Sequence, residues 1–363
     1  MPTYRAGIVG LTGIAASPLG KPPSPVQETV HGGSHAAAYA RHPNVEVVGA
    51  CDLVPERCEE FMQRWGDTWP NAESYSDYRA MLKAGKLDLL SVVTSDHRHT
   101  QIVVDAAEAG VKGIYCEKPI ATTLADVDRM VEACRKHNVV ISIDHTRRWR
   151  PLIHQVRDLL RSGQLGPLRR VVAVLGGPRA MIFRNGTHLL DMVNFFTESE
   201  PEWVIGELDD EHKNHPPRYA GDGGRDPATD PGGSAYIHFK NGVRAFVNAS
   251  KTGQQLFGAT LYCEKGYVTV EDSGAEVCQP GGEGVGARNV RWSIPPASVA
   301  RSGVEAGVAE LIAHVEARQN GKEPPAPLVS PPEAGRQVLE ILLGILQSNH
   351  AGSAKVTFPV SDA

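Results

Sequence analysis

The chain has 363 residues, room for two ordinary hydrophobic cores, and its 41% apolar and 22% charged content is that of a globular protein. A net charge of -5, a pI near 6.3 and the lack of any long basic run argue against nucleic acid or an anionic membrane as partner. No apolar window approaches the roughly 20 residues that cross a bilayer, no signal-peptide pattern precedes the first strand, and the six cysteines lack CxxC spacing, which predicts reduced thiols in the cytoplasm.

Ala6-Gly7-Ile8-Val9-Gly10 reads as an apolar strand ending in glycine, with Gly10-Leu11-Thr12-Gly13-Ile14 as the turn that follows. The dinucleotide fingerprint G-x-G-x-x-G brings backbone amides against a pyrophosphate. Here Thr12 takes the place of its second glycine, and a glycine follows one place later. Gly10, Thr12, Gly13 and Ile14 are therefore cofactor-binding candidates, in a turn that any tight strand-to-helix connection would also resemble. Pro18, Pro22, Pro23 and Pro25 exclude a helix until Ser34, a capping residue type, opens one near His35. The second strand, Val45 to Cys51, ends on Asp52, where an acid accepts hydrogen bonds from an adenosine ribose. Asp52 stands 42 residues past Gly10 instead of the usual figure of about 20, so an insertion at about 14–33 is expected, packing over the cofactor or a neighbouring subunit. A carboxylate at Asp52 would repel a 2′-phosphate and favour NAD over NADP, a preference that Arg57 softens. A cap for the helix Pro55 to Trp65 is the other role open to Asp52.

Strands at Asp88 to Thr94 and Val139 to Asp144 alternate with helices at 76–84, Thr100 to Ala109 and Leu124 to His137, which predicts an α/β, doubly wound parallel sheet. His97 and His99, two apart, do not share a helix face, so capping or contact with cofactor or substrate is expected there rather than metal. Between these elements Gly113-Ile114-Tyr115-Cys116 is a short apolar strand that stops on Glu117-Lys118-Pro119. Ligands of open α/β sheets sit beyond the carboxyl ends of such strands. An ammonium at Lys118 would donate to a substrate hydroxyl and stabilise the alkoxide that forms as hydride leaves. A surface ion pair between Glu117 and Lys118 is the alternative.

Texture changes at Arg147-Arg148-Trp149-Arg150-Pro151, which divides the chain into domains 1–147 and 148–363. Arg147 there is either solvated or directed at a substrate. After a helix from Pro151 and a strand near Leu168 comes Arg184-Asn185-Gly186-Thr187-His188-Leu189-Leu190-Asp191, read as the start of a helix capped by Asn185. Leu189, Met192, Val193 and Phe196 give it an apolar face, while Asn185, His188 and Asp191 recur on another. A neutral imidazole at His188 suits the general base that a dehydrogenase needs, with Asp191 orienting it; an ordinary helix-terminal histidine is the alternative. Five short strands between Glu202 and Glu271, with hairpin signals at Asn241-Gly242 and Lys265-Gly266, predict an α+β domain on a mostly antiparallel open sheet. The polar stretch 209–233, with His212 and His215, reads as a loop without metal geometry. Helices at Val304 to Asn320 and Pro332 to His350 and a short strand at 355–359 close the chain.

Taken together, Gly7 to Gly13, Asp52, Thr94 to His99, Glu117-Lys118-Pro119 and His188-x-x-Asp191 resemble the Gfo/Idh/MocA family of NAD(P)-dependent oxidoreductases, along nearly the whole chain. The resemblance implies an N-terminal NAD(P)-binding Rossmann domain and a C-terminal domain for substrate and oligomerisation, its sheet forming a homodimer or homotetramer. It implies oxidation or reduction of a secondary hydroxyl or ketone on a sugar, sugar acid or cyclitol, without metal. Lys118 and His188 would carry the polar chemistry, Glu117 would contact the nicotinamide ribose, and Thr94, Ser95, Asp96 and His99 would line the nicotinamide side. Arg147, Arg184, Asn185 and Asp191 are the substrate-binding candidates. A cis bond before Pro119 is expected. Two departures stand out: Arg184 replaces a frequent aspartate, favouring an anionic substrate such as a sugar acid, and a familiar Thr-Pro-Asn turn reads Thr94-Ser95-Asp96. Two other activities fit the same residues, glycoside cleavage by transient oxidation on bound NAD and a non-catalytic dinucleotide sensor.

Overall fold

A computed structural model describes residues 4–17, 33–212, 215, 218–221, 226–282, 288–297, 299 and 301–362. The first elements are β1 (Tyr4–Val9), α1 (His35–Ala40), β2 (Val45–Cys51), α2 (Pro55–Trp65), β3 (Glu73–Tyr75), α3 (Tyr78–Gly85), β4 (Leu89–Val92), α4 (His99–Glu108), β5 (Gly113–Cys116), α5 (Leu124–Lys136) and β6 (Val140–Ile143). They are followed by α6 (Pro151–Arg161), β7 (Leu168–Gly176), α7 (Gly186–Thr197), β8 (Pro201–Leu208), β9 (Gly233–Phe239), β10 (Arg244–Ser250), β11 (Leu256–Cys263), β12 (Gly266–Glu271), β13 (Gly274–Pro280) and β14 (Asn289–Ile294). The last are α8 (Gly303–Gln319), α9 (Pro332–His350) and β15 (Val356–Thr357). The chain folds as two compact units, the first holding described residues 4–149, 221 and 299–335, the second the rest. The turn to the second unit thus falls beside the Arg147–Pro151 texture change, but α8, expected with the C-terminal residues, packs in the first unit.

The first unit is a parallel sheet in the order β3-β2-β1-β4-β5-β6. Its inner strands are apolar along their length because helices cover both faces. Side chains start the helices where the sequence places capping types: Ser34 accepts from the Ala37 amide, Asp77 from Arg79 and Thr123 from Asp126. Asp52 is not such a cap, since α2 starts from Val54 with Pro55 in its first turn. Val308, Leu311, Ile312 and Val315 of α8 join the core beside Tyr39 and Tyr115. Polar latches hold α8 there: Glu310 accepts from the Trp149 indole at 2.9 Å and from the Val329 amide at 3.0 Å, and Arg41 pairs with Glu305 at 2.9 Å. The sequence reading missed β3, a three-residue strand too short for periodicity. Most of the expected insertion, residues 18–32, lies outside the described residues; its flanks are joined where the Ser34 hydroxyl donates to the Ser17 carbonyl at 2.7 Å.

The second unit is a nine-stranded sheet, β14-β13-β12-β11-β7-β10-β9-β8-β15, antiparallel except for the parallel pair β7 and β10. Both expected hairpins form, with Gly242 at φ 86° between β9 and β10. Strands β13 and β14 were not foreseen, because Pro280 and the glycines after it read as loop. Inward residues such as Val171, Ala173, Val247 and Leu261 are buried. Arg150 is 0% exposed and spans Asp272, bonding its carboxylate and its carbonyl at 2.8 Å each. Among the described residues no helix is long and apolar enough to cross a membrane.

Gly307 on α8 lies against the Tyr115 ring, and a methyl there would sit 2.7 Å from Cζ of that buried tyrosine. Gly307→Ala is expected to lower stability by about 1–3 kcal/mol in denaturant unfolding, the usual scale of core overpacking; an unchanged midpoint would contradict this packing.

Candidate functional site

Four features of the first unit lie at the carboxyl ends of its parallel strands β1, β2, β4 and β5. At β1, Gly10 has φ 87°, and a side chain there would bring its Cβ within 2.7 Å of the Val93 carbonyl carbon. Only glycine lets this turn pass so close to the end of β4. Thr12 and Ile14 are half-buried and Gly13 is exposed, in a short 3-10 turn over Gly13–Ala15. The turn and the following helix, contiguous in a standard fingerprint, are here separated by the residues before Ser34.

At β2, Asp52 is buried, and its Oδ2 accepts from the Leu11 amide of that turn at 2.9 Å. Its Oδ1 accepts from Val54 at 3.0 Å and from Arg57 at 3.4 Å. Asp52 therefore fastens the glycine turn to β2, and Oδ2, with one hydrogen bond, keeps acceptor capacity for a ribose hydroxyl. The Thr94-Ser95-Asp96 segment follows β4, with Thr94 and Ser95 half-buried and Asp96 buried. His99 is fully buried, its ring nitrogens 3.0 Å from the Pro119 carbonyl and 3.1 Å from that of Thr94, so it staples two loops.

At β5, the alternation of a strand decides which side chain goes where. Tyr115 and Glu117 share one face, buried under α1; Lys118 is the one residue from Gly113 to Ala121 that is not buried. The Lys118–Pro119 bond is cis, as expected. Glu117 Oε1 lies 3.4 Å from His35 Nε2 on α1, and its Oε2 accepts from the Lys118 amide at 3.2 Å. Asp144, in register beyond β6, has Oδ2 3.5 Å from the same imidazole nitrogen and Oδ1 bonded to the Tyr115 hydroxyl at 2.8 Å. Burial alone would lower the His35 pKa; the bonds to Asp144 and Glu117 outweigh it and raise it to about 9. Burial opposes ionisation of Glu117 as well, yet His35 and Lys118 hold it below the usual carboxylate range, while burial and the Glu117 charge push Asp144 above it. The His35 imidazole lies between these two carboxylates, and the side-chain nitrogen and oxygen atoms of the three groups come within 4.8 Å of one another. Sequence reading missed His35 and Asp144. The signal was present: an acid directly follows each of two adjacent strands at the same parity.

In the second unit α7 is buried throughout except at His188. Twelve residues of helix thus show one polar, partly exposed side chain, and it is the imidazole. Asp191 is buried one turn on. Asn185 precedes α7 without capping it, its amide donating instead to the Arg179 carbonyl at 2.6 Å. Arg184 is half-buried. Asp230, from the stretch read only as a loop, accepts from the Phe183 and Arg184 amides at 3.1 and 3.0 Å and fixes the turn that leads into α7. Burial raises its pKa to about 6 against those two bonds. Arg147 is half-buried in the first unit, where Arg148 donates to the Val329 carbonyl.

A parallel sheet with a glycine turn and an acid at successive strand ends, followed along the chain by a separate, mostly antiparallel sheet, is the arrangement of Rossmann-type dinucleotide-binding oxidoreductases. Residues 29–145 match the oxidoreductase family with an NAD-binding Rossmann fold, and residues 153–269 match the GFO/IDH/MocA C-terminal domain. The chain belongs to the Gfo/Idh/MocA family. It is 33% identical over 176 residues to D-apiose dehydrogenase of Paraburkholderia graminis, covering 45% of this chain and 46% of that one. It is 29% identical over 165 residues to inositol 2-dehydrogenase of Salmonella typhimurium, covering 45% and 43%. The matched region thus spans just under half the length of these relatives. Among solved structures, the WlbA dehydrogenase of Bordetella pertussis, in complex with NADH and UDP-GlcNAcA, superposes with a TM-score of 0.71 at 21% identity over 99% of this chain and 100% of that one. The aldose-aldose oxidoreductase of Caulobacter crescentus gives 0.71 at 19% over 98% and 100%. At such identities these structures show the fold alone.

Gly10→Ala is expected to weaken dinucleotide binding about tenfold or more, read by quenching of tryptophan fluorescence, because the turn must leave its left-handed conformation. Binding at wild-type affinity would separate the turn from the cofactor.

Proposed function

We propose that the protein is an NAD-dependent dehydrogenase of a secondary hydroxyl on a sugar, sugar acid or cyclitol. One observation carries the reading: Lys118 and His188 are the partly exposed polar groups of two otherwise buried segments. The relatives named for apiose and inositol dehydrogenation support the substrate class.

The turn Gly10–Ile14, Asp52, Thr94–Asp96 and Glu117 would hold the dinucleotide; Gly10 leaves the close approach open and Asp52 presents a carboxylate at the end of β2. When bound, NAD supplies the hydride acceptor. Lys118 donates a hydrogen bond from its ammonium to the substrate oxygen and stabilises the negative charge that develops there. His188 takes the hydroxyl proton on a ring nitrogen, and buried Asp191 one turn away favours the imidazolium that results. The Asp52 carboxylate, paired with Arg57 at 3.4 Å, disfavours a 2′-phosphate and selects NAD over NADP. The half-exposed Arg184 cation favours a sugar acid, and the six unpaired cysteines support work in the cytoplasm.

Nicotinamide absorbance with NAD or NADP against polyols, neutral sugars and sugar acids tests these statements together. Wild type is expected to turn over a sugar-class substrate with NAD, and Lys118→Ala to lose about 10²-fold or more in kcat. Full activity in Lys118→Ala, preference for NADP, sugar acids used no better than polyols, or glycoside cleavage without nicotinamide turnover would each overturn the corresponding statement. Recovery of the protein with periplasmic markers on cell fractionation would overturn the assignment to the cytoplasm.

We further propose a homo-oligomer through the outer face of the nine-stranded sheet. Register places Ile205, Tyr236, Phe246, Val172 and Thr260 in one row across β8, β9, β10, β7 and β11. Phe246 and Val172 in that row, with Tyr262 on β11, are among the exposed large hydrophobics, and a contiguous apolar face of this kind suits an interface. Phe246→Glu is expected to shift the mass by light scattering towards monomer; an unchanged mass would place the interface elsewhere.

A further inference from the structure

His35 opens α1 and is 0% exposed, with a hydrogen-bonding partner at each ring nitrogen. Nδ1 lies 3.0 Å from the Ser91 hydroxyl, which in turn lies 2.9 Å from the Tyr39 hydroxyl. Nε2 faces Glu117 at 3.4 Å and Asp144 at 3.5 Å. The reactive atoms of His35, Glu117 and Asp144 all lie within 4.8 Å of one another. Two carboxylates so close and so buried cannot both stay ionised without a cation between them. The other groups around the ring are Tyr39 on its own helix, Ser91 on β4, Tyr115 on β5 with its ring centroid 5.2 Å away, and Lys118 beyond Glu117. From α8, Glu310 acts on Tyr115, and Glu305 pairs with Arg41 further along α1. With His35 protonated, the charges of His35, Glu117, Asp144 and Lys118 cancel.

We propose that His35, Glu117 and Asp144 form a one-proton lock behind Lys118. While they share one proton, His35 ties both carboxylates and holds the end of β5, with Lys118, in place. Loss of that proton at alkaline pH leaves two uncompensated anions, which part and displace Glu117 and Lys118. The proton leaves from Nδ1, where the Ser91 hydroxyl can turn from accepting to donating, so that side of the ring remains bonded. His35 and Asp144 are positioning residues; they act through Glu117 and touch no substrate. The lock rests on the proposed function only in giving Lys118 a task.

The sign of the pH dependence follows from the raised His35 value. Its contribution to stability is complete below the ordinary imidazole value near 6.5 and is lost as pH rises through about 9. The test compares wild type, His35→Gln, Asp144→Asn and the double variant, all close in volume to the native residues. The His35 imidazole signal, identified by its absence in His35→Gln, is titrated by NMR. The wild-type ring is expected to titrate about two units above an ordinary histidine, and Asp144→Asn to bring it down by about one unit or more. The wild-type thermal midpoint should fall over the same pH interval.

With a substrate from the panel above, each single variant should lose about tenfold in kcat with little change in KM, and its alkaline limb should move to lower pH. The double variant, which has no proton to lose, should regain most of kcat and lack that limb. A wild-type His35 that titrates near 6.5, a titration unmoved by Asp144→Asn, or a double variant no better than the worse single one would overturn the lock. The NMR and thermal measurements decide it even if no dehydrogenase activity is found, so its failure and that of the proposed function are distinguishable.

Discussion

Everything at the first site depends on the alternation of one short strand. β5 is four residues of buried backbone, and its register against β4 and β6 is fixed by parallel pairing at Ser91, Tyr115 and Ser142. A slip of one residue would turn every side chain to the opposite face. With the register set, Glu117 must follow Tyr115 inward and Lys118 must emerge. The carboxylate then becomes a buried charge that demands a cation, and the first helix provides it at His35. The buried charge and the proposed chemistry are thus coupled at adjacent residues.

The second unit solves a different problem with the same economy. Its helix α7 is buried on nearly every side and packs against β7, β10 and β11. The single opening in that burial is His188. The turn before it has no side-chain cap, and the Asn185 amide donates to the Arg179 carbonyl. Asp230 takes over by accepting two backbone amides, at the cost of a buried carboxylate. The outer face of the sheet, by contrast, carries aromatic and branched side chains with no partner strand or helix of this chain above them among the described residues.

Much of this was legible in the sequence, for identifiable reasons. Alternating apolar runs and capping residues such as Ser34 and Thr123 gave the doubly wound sheet, and the Asn241-Gly242 and Lys265-Gly266 turns gave the open sheet of the second unit. Strand β3 was lost because three residues carry no period, and β13 and β14 because Pro280 and a glycine run mask their alternation. The candidate residues next to apolar strands were visible, since a charge after such a run stands out. His35 was hidden for the opposite reason: an imidazole among alanines looks like helix filler until its partners, 82 and 109 residues away in sequence, are brought to it. The His99 ring staples two loops, a role that local spacing could not show. The place of α8 was likewise invisible, because nothing in an amphipathic pattern says which core it completes.

The central claim is that the Lys118 amine and the His188 imidazole act on one substrate oxygen beside a nicotinamide ring. The most direct measurement is a crystal structure of the protein with NAD and a substrate drawn from the sugar-class panel. Both side chains are expected within about 3.2 Å of the same substrate hydroxyl, the reach of a hydrogen bond. A bound nicotinamide with either group well beyond that reach, or a dinucleotide seated away from Gly10 and Asp52, would contradict it.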